Sequence, residues 1–95
     1  MKPPKPVFSV DASLREIPIT GKICIRQPVH DFFAIDGGED FCSAVMDSPP
    51  WHELLAVLEK QIQVTRDYHH VFLEGISIIG IGETGVKICQ FIMGS

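Results

Sequence analysis

Asp67, His69, His70 and Glu74 fall close together in the chain, and His52 lies on the helical stretch before them. A histidine beside a carboxylate can hold a metal ion or move a proton near neutral pH. Adjacent strand residues point to opposite faces, so His69 and His70 line one site only if the strand begins after them. Otherwise His70, Phe72 and Glu74 share a face. No HxH, HExxH or CxxC spacing accompanies the cluster. Surface or interface histidines are therefore the plainer expectation. The sharper one is a ligand or metal site at a helix–strand corner built from His52, Asp67, His69, His70 and Glu74. No catalytic residue, resident metal or cofactor is assigned.

Three other constellations touch on chemistry. Gly80-Ile81-Gly82-Glu83-Thr84-Gly85 matches GxGxxG after a strand, but only ten residues follow Gly85. That is too few for the βαβ unit a dinucleotide site needs, so a glycine-rich turn is the expectation. Asp36, Glu39 and Asp40 cluster around Gly37-Gly38. They lack the ligand number and closing glutamate of an EF-hand. A solvated hairpin tip is expected, with a protein-recognition loop as the second choice. His30-Asp31 and Cys42 would face one another across that hairpin. Cys42 follows Glu39-Asp40-Phe41, the wrong electrostatic sign for an activated thiolate. No GxSxG, SxxK or P-loop spacing is present.

The element that must position these residues is the stretch SPPWHELLAVLEKQIQVT, Ser48 to Thr65. Ser48 can cap a helix, Pro49 and Pro50 are tolerated in a first turn, and Glu53 suits the positive end of the helix dipole. Trp51, Leu54, Leu55, Leu58 and Ile62 form one apolar stripe; His52, Glu53, Glu59, Lys60 and Gln63 lie off it.

The rest reads as strand and turn. Met1 to Pro6 is a Pro- and Lys-containing arm, expected to be mobile and polyproline-like; its PPKP resembles part of a PxxP segment. Val7 to Val10 is a short strand. Leu14–Ile19 and Lys22–Arg26 flank Thr20-Gly21 as a hairpin, with Ile23 and Ile25 inward and Cys24 on the other face. Val29–Ile35 and Phe41–Met46 flank the acidic tip as a second hairpin. Tyr68–Ile79 is a long strand with a bulge at Glu74-Gly75. Val86–Met93 reads as a last strand, with a helix as its rival.

Composition narrows the class. Ninety-five residues with 45% apolar content make one domain, residues 7–95 behind the arm at 1–6, with room for one two-layer core. The net charge of −4 and the scattered Lys and Arg make nucleic acid an improbable partner. The longest apolar stretch, Ile76 to Ile81, is far short of the ~20 residues of a membrane span. The N-terminus lacks the apolar core of a secretory signal. Three cysteines without metal-like spacing suggest buried free thiols in a reducing cytoplasm.

The expected fold is α+β: an antiparallel sheet of five or six strands with one main helix on a face. One helix cannot cover both faces, and the strand Val71 to Ile81 is more apolar than a one-faced strand needs. The expected function is a small, cytoplasmic, non-enzymatic protein-interaction domain that forms a homodimer. The alternative is a small enzyme or ligand-binding domain using the His/acid corner. A regulatory partner in a toxin or defence system rests only on small size and acidity.

Overall fold

A computed structural model describes residues 2–30 and 37–95. Residues 31–35 of the expected second hairpin, and Asp36 at its tip, lie outside the described residues. In chain order the elements are β1 (Val7–Phe8), β2 (Lys22–Gln27), β3 (Phe41–Cys42), β4 (Met46–Asp47), α1 (Trp51–Thr65), β5 (Phe72–Ile81) and β6 (Lys87–Gly94). The strands form one sheet in the order β1-β5-β6-β2-β3, with β4 also paired to β2.

The fold is α+β with one helix on a six-stranded sheet, but the sheet is mixed rather than antiparallel. β1 runs parallel to β5 and β2 parallel to β6; the β2–β3, β2–β4 and β5–β6 pairs are antiparallel. The cause lies in Leu14–Ile19, which is not a strand. Its carbonyls go to the helix instead. Glu16 O accepts from Trp51 N–H at 2.9 Å and Leu14 O from His52 N–H at 3.0 Å. These are among the four N–H groups that a helix start leaves unsatisfied. Without a hairpin partner on that side, β2 takes β6 as its neighbour, in the register Ile23↔Lys87, Cys24↔Ile88 and Ile25↔Cys89.

The same arrangement displaces the expected cap. The helix begins at Trp51, Pro50 occupies the N-cap position, and no side chain caps it. Ser48 takes a left-handed backbone conformation, and its hydroxyl accepts from Gly21 N–H at 2.8 Å. It thus ties the helix entry to the turn before β2. At the other end Arg66, also left-handed, closes the helix by donating its N–H to Ile62 O at 2.9 Å.

The apolar stripe of α1 packs as the spacing requires. Trp51, Leu54, Leu58 and Ile62 are buried against Ile23 and Ile25 of β2, Leu73 of β5, and Cys89 and Phe91 of β6. Phe8 closes one end of this core, edge-on to Trp51 with ring centroids 5.7 Å apart. Each fully buried aliphatic side chain contributes ~1.5–3 kcal/mol relative to exposure.

β5 and β6 form the longest pair. Their ladder slips between Leu73 and Gly75, where the sequence anticipated a bulge, and again between Ile78 and Gly80. The turn joining them is built on the glycines: Gly82 N–H donates to Val86 O, Gly85 N–H donates to Gly82 O, and Gly85 has a φ of 82°. No helix follows, and residues 87–94 are strand rather than helix. The Phe41–Met46 run is two short strands broken at Ser43, whose hydroxyl accepts from Ile25 N–H at 2.8 Å.

Leu58 is fully buried and Val45 is 55% exposed. Leu58→Ala should cost ~2–5 kcal/mol in urea unfolding, and Val45→Ala no more than ~0.5 kcal/mol. Equal effects would place the core elsewhere.

Candidate functional site

The C-terminal end of α1, the turn after it, the exit of β2 and the middle of β6 enclose a cleft of ~250 Å³. It is lined by Gln27, Pro28, His30, Gln61, Ile62, Thr65, Asp67, His70, Gln90, Phe91 and Met93. This is the helix–strand corner that the sequence marks, with a different membership.

Asp67 organises the turn. Its Oδ1 accepts the backbone N–H of His69 at 3.0 Å and of His70 at 3.3 Å. Its Oδ2 lies 2.7 Å from Nδ1 of His70. Burial pushes the Asp67 carboxyl up. The hydrogen bonds from the His70 ring and the two backbone N–H groups, with the charge of His70, outweigh burial and hold it below its ordinary value. A neutral His70 with its proton on Nδ1 for Asp67 carries its lone pair on Nε2. The ring of His30 lies beside it, tilted by 36°, at a centroid distance of 6.3 Å.

The helix supplies the rear wall. Thr65 Oγ1 donates to Gln61 O at 2.8 Å, one turn back. Gln61 is only 4% exposed, and its Oε1 has no hydrogen-bond partner. A buried polar atom left in this state costs ~1–3 kcal/mol.

Of the five corner residues, Asp67 and His70 line the cleft. His69 is exposed and meets Asp67 through its backbone. Glu74 is exposed on β5, and its carboxylate lies over Gly94 at the end of β6. His52 sits at the opposite end of α1, some ~20 Å away along the axis at 1.5 Å per residue, and takes no part. Gln61, Thr65 and His30 are additions. Gln61 and Thr65 continue the buried stripe at three- and four-residue spacing from Leu58, so two polar side chains on an apolar helix face were the available signal. His30 comes from β2's exit, which no local spacing connects to Asp67.

The acidic loop behaves differently. Asp40 Oδ1 accepts Val29 N–H at 2.7 Å, and Glu39 N–H donates to Val64 O at 2.9 Å. Gly38 lies so close to the carbonyl of Thr65 that a side chain there would collide with it. These contacts bind the loop to the end of α1. Glu39 and Asp40 remain exposed.

Cys42 is exposed, contrary to the expectation of three buried thiols, because it lies on a two-residue strand at the sheet margin. It opens onto a recess with Arg26, Asp40 and Phe41 that adjoins the cleft through Gln27 and Pro28, and Cys42 itself is not part of the cleft lining. Cys24 and Cys89 are buried, and burial pushes both thiols up, away from the thiolate. No group of three His, Cys, Asp or Glu side chains among the described residues has metal-holding geometry. Among the described residues no helix is long and apolar enough to cross a membrane.

The outer edge of β5 is the other exposed feature. Among the described residues only Phe72 and Leu73 pair on that side, with Val7 and Phe8. Beyond them Ile78, Ile79 and Ile81 are 50%, 53% and 69% exposed.

No protein-family model, curated protein or solved structure matches the chain.

A carboxylate held below its ordinary value stabilises the fold above its unfolded pKa, ~3.9. That contribution is lost as pH falls through the folded value. Asp67→Asn should lower stability at neutral pH by ~1–2 kcal/mol and flatten the acid limb of the stability profile. Urea unfolding over a pH series from neutrality to ~3 checks this. Identical acid limbs in the two proteins would show that the Asp67 charge contributes nothing.

Proposed function

We propose that the chain is a self-associating protein-interaction domain. Its contact surface is the open edge of β5, and the occupant of that edge is the same strand of a second copy. The observation that carries this reading is the outer edge from Glu74 to Ile81, which pairs with no strand among the described residues. Unpaired N–H and C=O groups on an edge template another strand. Protein edges are usually blunted by lysine, proline or inward charge. The run Gly75 to Gly82 has none of these.

A second copy suits this edge because its chemistry is self-complementary. Antiparallel pairing about a two-fold axis gives each copy the same ladder and sets isoleucine against isoleucine. The face of the sheet away from α1 adds to the surface. Phe72 and Ile92 are 39% and 49% exposed there. Glycines opposite Ile92 and Ile88 keep that face low, in the pairs Gly75↔Ile92 and Gly80↔Ile88. The three cysteines are free, which fits work in a reducing cytoplasm.

Light scattering over a concentration series tests the reading. The wild-type chain should reach dimer mass at high micromolar concentration with little dependence on salt. The Ile78→Lys/Ile79→Lys double variant should be monomeric with its unfolding midpoint preserved, because each copy would set lysines against lysines. A strictly monomeric wild-type chain overturns the proposal. So does a lysine variant that dimerises as well as wild type.

A further inference from the structure

We infer that His70 and His30 form a binding site for one divalent ion of the zinc class, with Asp67 as the positioning residue behind it. The inference is independent of self-association, since β5 contributes no residue to the cleft lining.

The Asp67–His70 pair carries the argument. A histidine that binds metal almost always turns its other ring nitrogen to a carboxylate or carbonyl, which fixes the tautomer and the ring orientation. His70 is held in this way. Its Nδ1 lies 2.7 Å from Asp67 Oδ2, and Oδ1 of the same carboxylate is anchored by the backbone N–H groups of His69 and His70. Nε2 is then the nitrogen that an ion takes. The His70 side chain is 29% exposed, so an ion can reach it.

His30 supplies the second imidazole. It lines the same cleft, and the two ring centroids are 6.3 Å apart. A zinc–nitrogen bond of ~2.0–2.1 Å puts the ion roughly 3.2 Å from each ring centre. Two rings sharing one ion therefore stand between about 5 Å apart, at a tetrahedral angle, and about 6.4 Å apart, in line. The observed separation falls at the wide end of that range. His30 is exposed, and rotation about its soft terminal torsion closes the remainder.

The surroundings select the ion. Imidazole nitrogen suits zinc, copper and nickel, whereas calcium and magnesium take oxygen ligands. Among the described residues no lysine or arginine lines the cleft to repel a cation, and Asp67 is its one carboxylate. Asp67 acts through His70 rather than as a ligand, so the site needs no group of three ligating side chains. Water completes the coordination, and a cleft of ~250 Å³ holds several waters at ~30 Å³ each. The ion thus keeps open positions, unlike the closed four-ligand sites that hold a fold together.

The test titrates zinc into the untagged full chain after dialysis against a chelator and then plain buffer. Calorimetry gives affinity and stoichiometry, and NMR follows the imidazole resonances. Wild type should bind one zinc per chain and shift the rings of His30 and His70. His30→Ala and His70→Ala should each abolish saturable binding. Asp67→Asn should weaken it ~10–100-fold while the stoichiometry and the two shifted rings stay the same. His69→Ala and Cys42→Ser should bind as wild type does. The inference is overturned if millimolar zinc leaves both rings unshifted, if His30→Ala binds as tightly as wild type, or if His69→Ala or Cys42→Ser loses as much affinity as His70→Ala. Should a variant at Asp67 or His70 fail to fold, His30→Ala decides the matter, because that side chain is exposed.

Discussion

One helix covers one face of the sheet, and most of what distinguishes this molecule follows from that constraint. Leu54, Leu58 and Ile62 drive α1 onto Ile23, Ile25, Leu73, Cys89 and Phe91, and this contact supplies most of the buried aliphatic surface. Ile78 pairs with Cys89 and so shares its face, yet Cys89 is buried and Ile78 half-exposed. The helix does not reach the outer half of β5. The apolar surplus in that strand is therefore left at an edge, where unpaired backbone groups and uncovered isoleucines coincide.

Backbone hydrogen bonding decides the topology at the other end of the helix. The first N–H groups of α1 need acceptors, and the two prolines before Trp51 leave no residue placed to cap them by side chain. The carbonyls of Leu14 and Glu16 fill that role. A segment used in this way cannot also be the partner of β2. The parallel β2–β6 contact follows, with α1 and β5 as the crossover that a parallel arrangement requires. Lys87 reinforces the register by donating its Nζ to Thr20 O at 2.8 Å, joining the start of β6 to the turn before β2.

The cleft forms where the helix stops. Arg66 turns the chain out of α1 in a left-handed conformation, and Asp67 gathers His69 and His70 through its carboxylate. The loop carrying Gly38 and Glu39 is held against the carbonyl end of the same helix. Apolar packing thus ends at Ile62, and polar side chains take over within one turn. Gln61 stands on that boundary, buried by the packing but not satisfied by it. Such an atom lowers stability by ~1–3 kcal/mol.

The sequence by itself determined the helix face, the inward isoleucines of β2, the bulge after Leu73 and the glycine turn before β6. Each depends on residues within a few positions of one another, through helical or strand periodicity or the backbone freedom of glycine. It also marked Asp67 and His70, because they stand three positions apart in one turn. Only the tertiary structure decided that Leu14 to Ile19 caps a helix, that β2 lies parallel to β6, that Cys42 is exposed, and that His52 stands far from the corner. It alone brought His30 to His70 across forty positions of chain. These outcomes depend on which backbone groups find partners and which surfaces the single helix can reach. Both are properties of the whole packed chain, and no local spacing encodes them.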